Sequence, residues 1–233
     1  GRGPVAQVSS AVDGRFWAGK RVLLTGHTGF KGAWAAIWLT RLGADVTGLA
    51  LPPDHVPALF SLARVADRVR SHLTDLRNLD AVRAALSGRT FDLVLHMAAQ
   101  PIVRASIEDP ITTFETNVMG TAHLLQALRD QAALQAVLVV TSDKVYANHE
   151  AGRAFVEADC LGGKDPYSAS KAAAEIVVQS YARSFFPGVP VGTARGGNVI
   201  GGGDFSRDRI VADIVRAARG GEAVVLRHPE ATR

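Results

Sequence analysis

From residue 21 onward the chain alternates short apolar runs with segments of helical spacing, and its first run opens directly into a glycine loop. Residues 21–25 hold Val22, Leu23 and Leu24 in succession, the pattern of a strand buried on both faces of a parallel sheet. Gly26-His27-Thr28-Gly29-Phe30-Lys31-Gly32 follows, then an Ala-, Trp- and Leu-rich helix over 33–42 that Gly43 is placed to end. Strand, glycine turn and helix in that order let the backbone approach a pyrophosphate while the helix N-terminus meets its charge. A glycine string alone is weak; its place after an apolar strand is the context it needs. A plain tight turn is the competing reading.

The alternation continues. Strands are expected at 45–51, 69–73, 91–97, 136–141 and 189–194, with a last one at 222–226. Helices are expected at 58–66, 79–86, 114–131, 166–186 and 208–219. Asp165 and Pro166 suit the N-cap and first position of the fourth of these. The pattern predicts an α/β protein built on a doubly wound parallel sheet, the Rossmann arrangement. Residues 1–15 read as a flexible lead, 16–194 as the dinucleotide-binding domain and 195–233 as the start of a smaller substrate lobe.

No apolar stretch reaches the roughly 18 to 20 residues of a membrane span. The first 14 residues lack the apolar core of a signal peptide. Cys160 is the single cysteine, so neither an internal disulfide nor a cysteine-based zinc site is available, and a reducing, cytoplasmic setting is the simplest expectation. The net charge of +4 is spread without a basic block. That argues against nucleic acid and suits a small anionic ligand.

The loop spacing is GxxGxxG, and the second strand ends Leu49-Ala50-Leu51 without the acid that holds the adenosine ribose. His27 and Lys31 add basic character, which leaves NAD and NADP both open. Asp75, beside Leu76 at the end of the third strand, is a candidate for the adenine or an ordinary turn aspartate.

Tyr167 and Lys171 lie four apart, on one face of the predicted helix. A tyrosine is a poor base at neutral pH, and a neighbouring ammonium would stabilise its phenolate. Such a pair can take a proton from a hydroxyl while hydride leaves the same carbon. Ser142-Asp143-Lys144 leave the carboxyl end of the fifth strand, the edge where active residues collect. Ser142 can hydrogen-bond a substrate hydroxyl, and Asp143 and Lys144 offer an acid and a base side by side. On position alone, Lys144 also reads as a solvated turn lysine.

Together these motifs resemble the extended short-chain dehydrogenase/reductase family. GHTGFKG, HMAAQPIVR (96–104), NVMGT (117–121), TSDKVY, DPYSASK and GNVIGGGD (197–204) are similar to the CDP-glucose 4,6-dehydratases within it, over nearly the whole chain. The resemblance implies NAD as a recycled cofactor and CDP-glucose as substrate. Tyr167 would take the 4-hydroxyl proton as hydride passes from C4 to NAD. Lys144 would remove the C5 proton, Asp143 would assist loss of the C6 hydroxyl as water, and the hydride would return to C6. Gly26 to Gly32, Asp75, Leu76, Ala98, Ala99 and Gln100 would line the cofactor cleft with Tyr167 and Lys171. Arg104 would meet substrate, Asn198 and Arg209 would approach its diphosphate, which arginine's planar fork suits, and Arg233 stands where the family has another diphosphate-binding arginine. Helices 114–131 and 167–186 would pair two copies into a homodimer. Val145 and Gly196 stand where the family often has Cys and Ala, and the family continues well past the position of Arg233. Other nucleotide-sugar dehydratases, an epimerase and a non-catalytic dinucleotide-binding domain remain alternatives.

Overall fold

The computed structural model describes residues 12–149 and 152–226. A short helix α1 (Gly14–Trp17) leads into strand β1 (Arg21–Thr25), helix α2 (Phe30–Arg41) and strand β2 (Asp45–Ala50). Then come α3 (Leu59–Leu62), a 3-10 turn at Val65–Asp67, β3 (Arg70–Leu73), α4 (Leu79–Leu86) and β4 (Leu93–His96). The next segment is helical in pieces: α5 (Val103–Glu108), α6 (Pro110–Phe114), a π-turn at Glu115–Met119 and α7 (Gly120–Ala127). Strand β5 (Ala136–Val140), a 3-10 turn at Asp143–Val145, α8 (Pro166–Phe185), β6 (Val191–Ala194) and α9 (Ile210–Gly220) complete the described chain.

All six strands are parallel, in the order β3-β2-β1-β4-β5-β6. This is the doubly wound sheet expected. The order reverses between β1 and β4, and a crevice for ligand opens beyond their carboxyl ends. The apolar run of β1 explains its central place. Leu23 faces one core with Leu49, Val94, Leu124, Leu125 and Val137; Val22 and Leu24 face the other with Ala33, Ala36, Leu39 and Val46. Leu23, Leu24 and Leu49 are fully buried, each worth about 2 kcal/mol. At the opposite end of the sheet Arg21 grips Asp92 at 2.6 Å, fastening β1 to β4.

Several boundaries differ from the sequence reading. Residues 14 and 15 of the supposed lead lie in α1, capped by the Asp13 side chain; residues 1–11 lie outside the described chain. The long helix expected at 114–131 starts earlier, at Pro110, and its α-helical part ends at Ala127. It is interrupted by the π-turn, whose extra residue aims Asn117 inward. Residues 222–226 form no strand. No described strand pairs with them, and Val225 and Leu226 are exposed.

Candidate active site

The glycine loop is shaped by close backbone approach. Gly26 has φ +77°, and a Cβ there would stand 2.7 Å from the Ala98 nitrogen. A Cβ on Gly32 would stand 2.0 Å from the Gly26 carbonyl oxygen. At Gly29, the N-cap of α2, the nearest atom is 3.4 Å away, and no side chain caps the helix. The first N–H groups of α2 therefore lie open beside a position where backbone can be approached closely. That cradle fits a pyrophosphate. Thr28 ties the loop to the end of β2, its hydroxyl donating to the Leu51 carbonyl at 2.8 Å.

His27 corrects the expectation of a basic loop. Its ring is buried against Gly48 of β2, edge-on to Phe60, with Nε2 2.7 Å from the Ser71 hydroxyl. Burial pushes its pKa down to about 4, so the imidazole is neutral. Lys31 turns toward the catalytic cavity and is also pushed down, by burial first and the Arg209 cation second, with Asp204 opposing.

The segment after β4 lies against the glycine loop and rests on a buried hydroxyl–imidazole chain. Thr25 Oγ1 accepts the Met97 and Ala98 N–H groups at 3.1 and 3.0 Å. Its hydroxyl proton therefore points to His96 Nδ1, 2.6 Å away, which leaves His96 Nε2–H to donate to Thr121 at 3.0 Å. Burial holds His96 near a pKa of about 3. Asn117 braces the same segment: its Oδ1 accepts the Gln100 N–H at 2.8 Å, and its Nδ2 donates to Ser170 at 2.9 Å and to the Gln100 carbonyl at 3.2 Å. Ala98, Ala99 and Gln100 thus follow the carboxyl end of β4, beside the point where the strand order reverses. The sequence reading gave Thr25 and Asn117 no role.

Helix α8 begins as its first residues dictate. Asp165 accepts the Ser168 N–H at 2.9 Å and Pro166 takes the first turn. Buried Ser106 accepts the Tyr167 N–H at 3.1 Å and so docks this end against α5. Tyr167 lines the cavity, while Lys171, one turn on, is buried with Nζ donating to the Val140 carbonyl at 3.1 Å. Burial lowers the Lys171 pKa to about 8; Lys31 adds to the fall and Glu175 opposes it. Tyr167 departs from expectation. Burial raises it above its ordinary value, and what resists is a hydrogen bond with Ser142 and the Arg209 cation.

Ser142, Asp143 and Lys144 form the turn after β5. The Ser142 hydroxyl accepts the Lys144 N–H and donates to Asp143 Oδ1, both at 3.2 Å. Lys144 is half-buried. These three residues share a cavity of about 1170 Å³ with Tyr167, Lys31, Arg104, Asn198 and Arg209. The loop carrying Asn198 touches both motifs: Gly201 packs on Phe30, Gly197 faces Asp143, and Trp34 donates to the Gly202 carbonyl at 2.8 Å. Arg104 reaches Glu108 at 3.1 Å and Asp208 at 4.0 Å. Asp75 stands apart from this cavity. Its carboxylate is held below its ordinary range by Arg77, 2.7 Å away, and it borders a smaller pocket with Glu115, Met119 and His123. Leu76 is buried in the core. Arg233 lies outside the described residues. Among the described residues no group of His, Cys, Asp and Glu side chains could hold a metal ion.

Fold and site define a dinucleotide-binding domain in which Tyr167 and the Ser142–Asp143–Lys144 turn open onto one cavity, with Lys171 buried one helical turn behind Tyr167. The chain belongs to the NAD dependent epimerase/dehydratase family, which it matches over residues 22–233. It is 45% identical over 229 residues to the CDP-glucose 4,6-dehydratase of Salmonella typhimurium, covering 95% of this chain and 64% of that protein. It is 32% identical to the dTDP-glucose 4,6-dehydratase of Mycolicibacterium smegmatis, over 71% of this chain and 50% of that one. A dTDP-glucose 4,6-dehydratase from Streptomyces venezuelae, solved as a double mutant with NAD bound, superposes with a TM-score of 0.76 at 28% identity, covering 88% of this chain and 64% of that one. The chain thus spans about two thirds, or less, of these relatives' lengths.

Proposed function

We propose that the chain is the catalytic portion of a CDP-glucose 4,6-dehydratase using bound NAD. The observation that carries this reading is the Asp143–Lys144 turn, held by Ser142 in the same cavity as Tyr167. An epimerase has no need of a second acid–base pair. The glycine cradle of Gly26, Gly29 and Gly32, with Ala98 to Gln100 opposite, would hold the cofactor, which serves when bound as acceptor and later donor of one hydride. Tyr167 takes the proton from the C4 hydroxyl; Ser142 orients the phenol, and Arg209 favours its anion. Lys171 holds positive charge beneath that site. Once C4 is a ketone the C5 proton is acidic. Lys144 removes it, and Asp143 donates a proton to the departing C6 hydroxyl, which leaves as water. Asn198 and Arg209 line the cavity as diphosphate ligands, and Arg233 would add a third. We assign Asp75 no more than a place near the adenosine end.

The cytidine base rests on similarity to the Salmonella protein. The test is turnover of CDP-, dTDP- and UDP-glucose by the full-length protein, read from the alkali absorbance of the 4-keto product. Preference for CDP-glucose is expected; equal or better use of dTDP-glucose would overturn the base assignment. Lys144→Ala should still oxidise C4 yet fail to exchange the C5 proton with solvent deuterium. Normal exchange would remove Lys144 as the base.

We further propose a homodimer. Ile107, Ile111, Met119, Ile176 and Phe185, on or beside the helical faces of 110–127 and 166–185, are exposed apolar residues that a second copy would cover. Sedimentation at micromolar concentration tests it. No described helix is long and apolar enough to cross a membrane, and with Cys160 a free thiol we place the reaction in the cytoplasm.

A further inference from the structure

We propose that Glu175 and Arg195 form a positioning pair that keeps the Ser142–Asp143–Lys144 turn in register with the Tyr167–Lys171 face of α8. The inference rests on the dehydratase reading, in which both sets of groups must address one bound hexose in succession.

The pair is buried: the Glu175 side chain is 1% exposed and that of Arg195 15%. Arg195 presents its fork to the carboxylate, Nη2 to Oε2 at 2.6 Å and Nε to Oε1 at 2.9 Å. The Thr141 hydroxyl donates to Oε1 at 2.7 Å. A bidentate contact fixes an angle as well as a distance. Glu175 stands one helical turn beyond Lys171, and Thr141 is the residue before Ser142. The carboxylate therefore joins the catalytic helix directly to the root of the catalytic turn.

Arg195 ties down the rest of that turn. On either side of it, the Ala194 carbonyl accepts the Thr141 N–H at 2.8 Å and the Gly196 carbonyl accepts the Asp143 N–H at 3.1 Å. Its guanidinium lies 4.6 Å from the ring of Tyr146, just beyond the turn. Tyr146 stacks on Phe155 at 4.4 Å, and Nη1 of Arg195 donates to the Glu157 carbonyl at 3.2 Å. One guanidinium thus connects β6, α8, the catalytic turn and the 146–157 excursion. Neither side chain lines the cavity, so neither touches substrate.

An apolar pair of similar volume can fill such a site with little loss of stability, because burying two charges is costly and the Thr141 hydroxyl keeps the Ala194 carbonyl as a second acceptor. What it would lose is the fixed angle. That difference provides the test. In the full-length protein, the Glu175→Met/Arg195→Met double variant is compared with Arg195→Lys and the unaltered chain. Thermal midpoint, KM, kcat and deuterium entry at C5 are measured with CDP-glucose. The double variant should keep its midpoint and hold KM within about threefold, while kcat falls by about tenfold or more, since small misplacements at a reacting centre cost that much. Oxidised but undehydrated hexose should accumulate. A folded double variant with unaltered kcat overturns the proposal.

Should the double variant fail to fold, Arg195→Lys decides. It keeps the buried charge and loses the fork, and kcat should again fall about tenfold with KM held. Unchanged kcat, or a fall that matches the loss of folded protein, overturns the proposal. Failure of the unaltered protein to dehydrate any nucleotide hexose is a separate outcome, and it would sink the dehydratase reading itself.

Discussion

Two alanine substitutions in the glycine loop should separate its folding role from its binding role. A Cβ on Gly32 would lie 2.0 Å from the Gly26 oxygen, 2.6 Å from the Gly26 carbonyl carbon and 2.9 Å from the His27 Cα. All three are backbone atoms, so no rotamer change relieves the clash. Gly26 cannot retreat, because it lies against the Ala98 backbone and its N–H donates to the Leu49 carbonyl at 2.8 Å. Relief requires a backbone shift of about 1 Å or more, and overpacking of this kind costs about 1–3 kcal/mol. Losing the Gly26 hydrogen bond adds about 1 kcal/mol. Gly32→Ala should therefore cost about 2–4 kcal/mol, a fall in Tm of roughly 5–15 °C for a chain of this size. Gly29 has φ −76° and ψ 166°, open to any residue, and its nearest contact at 3.4 Å is ordinary. Gly29→Ala should leave Tm within about 3 °C, since the gain from restricting the unfolded chain is offset by the N-cap preference for glycine over alanine. Its methyl group would nevertheless stand at the uncapped end of α2, and NAD affinity should fall about tenfold or more. Thermal unfolding reads the first effect and titration calorimetry with NAD the second. Gly32→Ala melting with the unaltered protein, or Gly29→Ala binding NAD undiminished, would refute the reasoning.

Three further outcomes follow from the site and its supports. Lys171 loses its charge as pH rises through about 8, so kcat/KM should decline above that pH; a profile flat to about pH 9.5 would refute the assignment. Folding stability should run the other way. The unfolded chain holds the Lys171 proton up to its ordinary value, so the cost of its burial is relieved as pH climbs from about 8 to about 10.5. Asp92 is held at about 2, first by its hydrogen bond to Arg21. Its contribution is full above about pH 4 and is lost progressively as pH falls from about 4 through 2. Because Arg21 is partly exposed, Asp92→Asn should cost only about 1 kcal/mol at neutral pH and a small fraction of that at pH 2, where Asp92 is half protonated, read by urea unfolding at both. Ser106→Ala leaves the Tyr167 N–H without its acceptor. It should cost about 1–2 kcal/mol and lower kcat, whereas Ser106→Thr, which keeps the hydroxyl, should recover part of both.

How much of this was legible in the chain depends on how far each interaction reaches along it. The apolar run of β1, the glycine spacing and the Asp165–Pro166 start of α8 are local codes, and each produced the expected element. The π-turn at Glu115–Met119 was not legible, because its extra residue answers to Gln100 and Ser170, partners 17 and 53 positions from Asn117. The Glu175–Arg195 pair was missed for the same reason. A lone Glu one turn after Lys171 and a lone Arg after β6 each read as ordinary until the sheet joins β5 to β6. Tyr167 went astray differently: the spacing correctly put Lys171 on its helix face, but burial acts on the phenol more strongly than the neighbours that oppose it.

His27 shows the limit most plainly. A histidine in a phosphate-binding loop reads as a cation because nothing beside it in the chain says otherwise. The residue that neutralises it is Gly48, 21 positions away, where any Cβ would come within 2.4 Å of the imidazole. Parallel pairing of Leu24 with Gly48 brings that gap beneath the loop. The ring fills it, loses water and gives up its proton. Both residues were in view in the chain, but only the register of β1 against β2 turns the missing side chain of one into the missing charge of the other.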